Sequence, residues 1–147
     1  MKTAIQRVTT KMGTTAFNWS QQLPRSVSVP NKINMEIVEA RGLVGEKDED
    51  GTKLNPVVIV SIDNTLVFKT RKAKKTGQPV WHEHVCLNQL SGEKVLEIKI
   101  KDVHTFHSAD IGTYRSTMKE FMSISAQPDR WLPLEPQGEI RVKLENA

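Results

Sequence analysis

An all-β fold, an eight-stranded antiparallel β-sandwich, is what this sequence predicts. Three observations carry the prediction. From residue 33 onward the apolar residues alternate with polar ones at a period of two. The runs are short and regularly spaced, and turn residues separate them. The chain has 147 residues, enough for one domain with its own core.

Ile33, Met35 and Ile37 alternate with Asn34 and Glu36, the pattern of a half-buried strand. Gly42 to Thr52 is polar and carries glycines, so it is a loop. Val57 to Ile62 is a short run, β-branched except for Ser61, and Asp63-Asn64 after it is a tight turn. Leu66, Phe68 and Thr70 alternate with Val67, Lys69 and Arg71, the returning strand of a hairpin. A turn around Gly77 leads into Val80–Leu87. Ser91-Gly92 precedes a fifth strand with Leu96, Ile98 and Ile100 inward and Glu97, Lys99 and Lys101 in water. His104 to Asp110 is a loop and Ile111 to Thr117 a sixth strand. Met118, Phe121 and Met122 suit one or two helical turns. Trp131–Leu134 and a last strand carrying Ile140, Val142 and Leu144 flank the turn Pro136-Gln137-Gly138.

Charge is unevenly placed. The net charge is +4, and the first 35 residues hold Lys2, Arg7, Lys11, Arg25 and Lys32 with no acid. Removing those five from 21 basic residues leaves 16 against 17 acidic ones, so residues 36–147 carry −1. Residues 1–30 lack sustained periodicity and are expected to be a basic linker or tail, with residues 31–147 as the domain. A basic, acid-free, Ser/Thr-rich start also fits a transit peptide or an arm for anionic partners. No apolar run approaches the ~20 residues of a membrane-spanning helix. Cys86 is the single cysteine, which suits a reducing, cytoplasmic setting.

Several segments resemble the C2 domain, the calcium- and phospholipid-binding module. Met35 to Leu43 resembles its opening strand. Asp48-Glu49-Asp50-Gly51 followed by Asn55-Pro56-Val57-Val58 resembles the first calcium loop and its strand. Thr76 to Glu83 resembles the Thr-x-x-Pro-x-Trp-Asn-Glu signature, with His82 in the Asn position. Asp102-Val103-His104 and Asp110-Ile111-Gly112 resemble the third loop. Strand count adds a detail: with residues 33–39 first, a C-terminal strand must complete the eight. That is the permuted (type II) topology of the novel protein kinase C isoforms.

The resemblance implies a candidate calcium site at Asp48, Asn55, Asp102 and Asp110, with His104 at a fifth position. Calcium takes six to eight oxygens, several from carboxylates. Three aspartates in place of five imply low calcium affinity or none, and histidine is a poor ligand for a hard cation. Glu46, Glu49 and Asp50 could substitute as ligands; otherwise the loops are acidic residues in water.

Five basic residues lie between Lys69 and Lys75. The resemblance implies an anionic headgroup site there, and strand alternation puts Lys69, Arg71 and Lys75 on one face. Three aligned basic residues are worth roughly 3 kcal/mol at an anionic membrane. Holding the chain there would need the tail or an inserted side chain, and Phe106 in the second acidic loop is the candidate for insertion. Lysines guarding an edge strand would look the same. Val57 and Ile59 fall at outward positions, a face for a protein partner or for Phe17, Trp19 or Leu23 of the tail.

No nucleophile elbow, phosphate loop or cysteine cluster points to an enzyme. His82, His84, His104 and His107 offer zinc no defined third ligand. Nucleic acid is not expected as a partner, since no aromatic platform accompanies the basic strand. The expected function is a non-enzymatic, peripheral membrane-targeting module for anionic phospholipid, with weak or absent calcium dependence. A protein-interaction module is the alternative.

Overall fold

A computed structural model describes residues 29–45, 54–123 and 127–146. Eight strands form two four-stranded antiparallel sheets: β1 (Ile33–Arg41), β2 (Pro56–Ile62), β3 (Thr65–Lys69), β4 (Val80–Leu87), β5 (Val95–Val103), β6 (Ser108–Thr117), β7 (Asp129–Pro133) and β8 (Glu139–Asn146). One short helix, α1 (Met118–Ser123), connects β6 to β7. The sheet orders are β4-β1-β8-β7 and β3-β2-β5-β6. The last strand therefore lies between β1 and β7.

The inward residues of both sheets meet in one core. Met35, Ile37, Val58, Val60, Leu96, Ile98, Ile100, Ile140 and Val142 are all buried in it, as the period of two requires. Phe121 and Met118 of α1 close one side of this core. Thr117 caps the helix: its hydroxyl accepts from the Glu120 N–H at 3.1 Å, and Glu120 accepts the Thr117 N–H at 2.9 Å. The Asp63-Asn64 turn has φ of 50° and 66°, the left-handed pair that a two-residue hairpin needs.

Register shifts at β-bulges set which side chains reach which face; in the β1–β8 pair Ile37 faces Val142 and Glu39 faces Arg141, so Val38 is extra. In the β2–β3 pair, Val60 faces Phe68 but Ser61 faces Leu66, so Val67 is the extra residue. The slip turns Leu66 outward, where it is 58% exposed, although in an unbroken strand it would share the face of Phe68. In the β1–β4 pair, Ile37 faces Glu83 and Glu39 faces Val80, so Trp81 and His82 together oppose Val38. His82 takes φ 52°, a left-handed conformation open to Asn and His more than to bulky residues, and Trp81 turns into the core. In the β5–β6 pair, Ile100 faces Gly112 and Lys101 faces Asp110, so Ile111 is extra and is buried.

β3 also stops sooner than alternation suggests. Thr70 is buried, and its hydroxyl accepts the Val58 N–H at 2.9 Å and donates to the Arg71 carbonyl at 2.9 Å. A side chain thus replaces a ladder carbonyl, and residues 70–79 leave the sheet to cross to β4. Arg71 spans that crossing. Its guanidinium donates to Glu83 at 2.9 Å, to the Trp81 carbonyl at 3.0 Å and to the Val80 carbonyl at 3.3 Å. The Trp81 indole N–H returns a bond to the Arg71 carbonyl at 3.1 Å. One edge of the sandwich is held by this exchange; a Thr113–Glu135 bridge ties the other.

Val57 and Ile59 do not form an exposed apolar pair. Val57 is 2% exposed and Ile59 half-buried. They face Lys101 and Lys99 across the ladder, whose partly buried stems lie along the same face. Phe17, Trp19 and Leu23 fall outside the described residues.

The outer face of the β4-β1-β8-β7 sheet is a ladder of ion pairs. Arg141 reaches Glu39 at 2.7 Å and Asp129 at 2.8 Å, and Arg41 reaches Glu139 at 2.8 Å while stacking on Trp131. The bond to Asp129, then that to Glu39, raises the Arg141 pKa further. Glu36 accepts from His82 Nδ1 at 2.7 Å, and this bond holds its carboxyl below the usual range. A carboxyl whose folded pKa is depressed stabilises the fold above its unfolded pKa, and that stability is lost as pH falls through the folded value. The melting gap between wild type and Glu36→Gln should therefore be largest at neutral pH and close as pH falls below about 4.5. A gap independent of pH would contradict this role.

Candidate functional site

Asn55, Lys75, Asp102, His104 and Phe106 lie at one end of the sandwich. Asn55 sits just before β2, the 70–79 crossing passes it, and β5 and β6 meet at the 104–107 turn. Backbone bonds hold these segments together: Thr76 N–H to Leu54 O at 2.9 Å, Val103 N–H to Asn55 O at 3.0 Å and His104 N–H to His107 O at 2.8 Å.

Asn55, Asp102 and His104 touch one another. Asp102 Oδ1 accepts the Asn55 N–H at 2.8 Å and lies 2.8 Å from His104 Nε2. Asn55 Nδ2 lies 3.2 Å from His104 Nδ1. Asn55 Oδ1 accepts the Lys75 N–H at 3.0 Å. The His107 ring stacks on His104 with centroids 4.9 Å apart.

Asp110 is not with them. The Ile111 bulge sets it opposite Lys101 on the outer face of the sheet, 3.6 Å from both Lys99 Nζ and Lys101 Nζ. Without the extra residue Asp110 would share the face of Asp102. Asp48 lies outside the described residues, as do Glu46, Glu49 and Asp50. Among the described residues, Asp102 is the one candidate carboxylate at this end, and no group of three His, Cys, Asp or Glu side chains could hold a metal. This described donor set does not fit calcium, which needs several carboxylate oxygens.

The predicted headgroup residues separate into two kinds. Arg71 bonds to Glu83 and to two β4 carbonyls, a clamp across the sandwich edge, while its side chain stays 60% exposed. Lys69, Lys72, Lys74 and Lys75 are exposed and have no carboxylate partner among the described residues. Lys72 and Lys74 lie in the irregular 70–79 segment, so strand alternation does not set their faces, and both are exposed. Phe106 is 95% exposed at the tip of the 104–107 turn.

The comparisons with known proteins agree with this frame. A family model described as the C2 domain matches residues 31–134. The chain belongs to the C2 domain family. Membership places it among modules associated with phospholipid and calcium. Protein kinase C epsilon type from rabbit is 25% identical over 96 residues, 60% of this chain. The rat protein matches equally, and the chain spans 12% of the length of these relatives. Among solved structures, the first C2 domain of plant extended synaptotagmin 1 has a TM-score of 0.63 at 20% identity, covering 78% of this C2 chain and 92% of that one. The calcium-bound tandem C2 domains of extended synaptotagmin 2 have a TM-score of 0.62 at 24% identity, covering 80% and 46%. These likenesses show the C2 fold. No helix among the described residues of this C2 domain is long and apolar enough to cross a membrane.

Proposed function

We propose that residues 31–147 are a non-enzymatic C2 domain of the permuted topology, preceded by a basic tail. It docks peripherally on the anionic, cytoplasmic face of a membrane with little or no need for calcium. One observation carries this reading: the exposed Lys75 and the exposed Phe106 lie at the same end of the sandwich, and the exposed Lys69, Lys72 and Lys74 lie on the stretch of chain leading to Lys75. Lys75 bonds through its backbone to Asn55, Asn55 contacts His104, and His104 opens the turn that presents Phe106. Four lysines (Lys69, Lys72, Lys74 and Lys75) supply roughly 4 kcal/mol of attraction at about 1 kcal/mol each. An apolar side chain at the same end adds the second signal that stable binding needs. The β8 position between β1 and β7 supports the permuted order.

A second reading, a protein-docking module, draws on Leu66 and Val67, which are 58% and 44% exposed on the edge strand β3. Vesicle sedimentation separates the two. The membrane reading expects the chain to pellet with phosphatidylserine or phosphoinositide vesicles and not with phosphatidylcholine alone. No pelleting on any vesicle would leave the protein-docking reading.

A further inference from the structure

We propose that residues 17–28 of this chain dock in the cleft between β3 and β4 and cover the exposed Val67. The inference is independent of the membrane reading, and it gives the apolar edge of the second reading an occupant within the chain itself.

β3 and β4 are edge strands, one from each sheet. Near Glu83 the Arg71 clamp joins them across one side of the sandwich. Past the clamp the gap between them opens into a cleft of about 460 Å³. Thr65 and Val67 line it from β3, Cys86 from β4, and Asn88, Gln89 and Lys94 from the connection to β5. Val67 is 44% exposed, and its neighbour Leu66 is more exposed still. Edge strands are usually guarded by charge, yet β3 carries only Lys69, at its far end. The edge is therefore apolar where the cleft opens.

The chain itself leads to this cleft. Val29 packs against the core, its Cγ2 3.9 Å from where a Cβ on Gly92 would lie. The Asn31 carbonyl accepts the Leu90 N–H at 3.1 Å. Val29 thus enters beside residues 90–92, which Gln89 and Lys94 of the cleft wall flank in sequence. Just before it, residues 17–28 hold Phe17, Trp19, Leu23 and Val27 against one charge, Arg25. Such a segment brings apolar surface that needs cover. Its reach is sufficient. The path from Gly92 to Val95, across the Val95–Asp63 bonds and on to Val67 is at most about 30 Å at strand spacing. Trp19 precedes Val29 by ten residues, which extend to about 33 Å. Tethering sets an effective concentration of order millimolar, so a weak contact is enough to fill the cleft. A second copy pairing along β3 would meet the Val67 bulge, which breaks the regular ladder; a tethered segment needs no regular pairing.

Cys86 is the single cysteine and lines the cleft, so its reactivity reads occupancy directly. The test measures how fast an aqueous disulfide reagent modifies Cys86 in the full chain, without vesicles. Trp19→Asp/Leu23→Asp should react about tenfold faster than wild type, as when docking covers the thiol roughly nine-tenths of the time. Val67→Asp should give the same rise from the cleft side; if it does not fold, the Trp19/Leu23 variant decides alone, since it leaves the described core untouched. Equal rates in wild type and the Trp19/Leu23 variant would overturn the proposal. So would protection that fades on dilution, which would assign the cleft to a second copy. Because the rates are read without lipid, failure of vesicle binding counts against the membrane reading alone.

Discussion

In the Lys69→Glu/Lys75→Glu variant, affinity for phosphatidylserine vesicles falls roughly a thousandfold while the melting temperature stays within a few degrees of wild type. Each lysine is worth about 1 kcal/mol near an anionic surface, and reversing the charge roughly doubles the change. Two reversals then cost about 4 kcal/mol, or roughly three factors of ten. The fold is spared because both side chains are exposed and neither has a carboxylate partner among the described residues. The Lys75 N–H bond to Asn55 is a backbone bond and survives the substitution. Added salt should narrow the difference between wild type and variant, since exposed charges are screened within about 8 Å at physiological ionic strength. Equal pelleting of the two proteins would move the contact surface away from this segment.

Arg71→Glu behaves differently. It should lower folding stability by about 2–4 kcal/mol, because charge-assisted hydrogen bonds are lost and a carboxylate is set against another one. Arg71 donates to Glu83 and to two carbonyls of β4, and the Trp81 indole bonds back to it. Chemical denaturation should show the loss directly. A stable Arg71→Glu protein that had lost only vesicle binding would keep Arg71 in the headgroup contact set. The two variants together separate lysines that face solvent from an arginine that joins the sheets.

Much of the fold was legible because side-chain alternation is a local property. Met35 and Ile37, Leu96 to Ile100 and Ile140 to Leu144 show their inward faces in the sequence itself. The Asp63-Asn64 turn announces its left-handed geometry through residue type. What local pattern misses is a single inserted residue. The bulge at Val67 exposes Leu66, and the bulge at Ile111 carries Asp110 from the Asp102 side to the lysines of β5. A hint existed in the sequence: Asp110 is followed directly by Ile111-Gly112, one residue shorter than the spacing the C2 resemblance implies. Gly112 is crowded too: a Cβ there would lie 3.0 Å from Leu134 Cβ and 3.1 Å from the Gln137 carbonyl. Such neighbours come from another part of the chain, so no local reading can supply them. The Arg71–Glu83 pair escaped for the same reason, since it joins two sheets. His104 was visible as a weak metal ligand; its contacts with Asn55 and Asp102 needed the positions of those two residues.

Calcium dependence is the most direct discriminator. Wild-type chain is mixed with phosphatidylserine/phosphoinositide vesicles, once in excess chelator and once in millimolar calcium, and the pelleted fraction is compared. Equal pelleting in both conditions is the predicted result, because exposed lysines hold an anionic surface without an ion. Pelleting that appears only with calcium would contradict it.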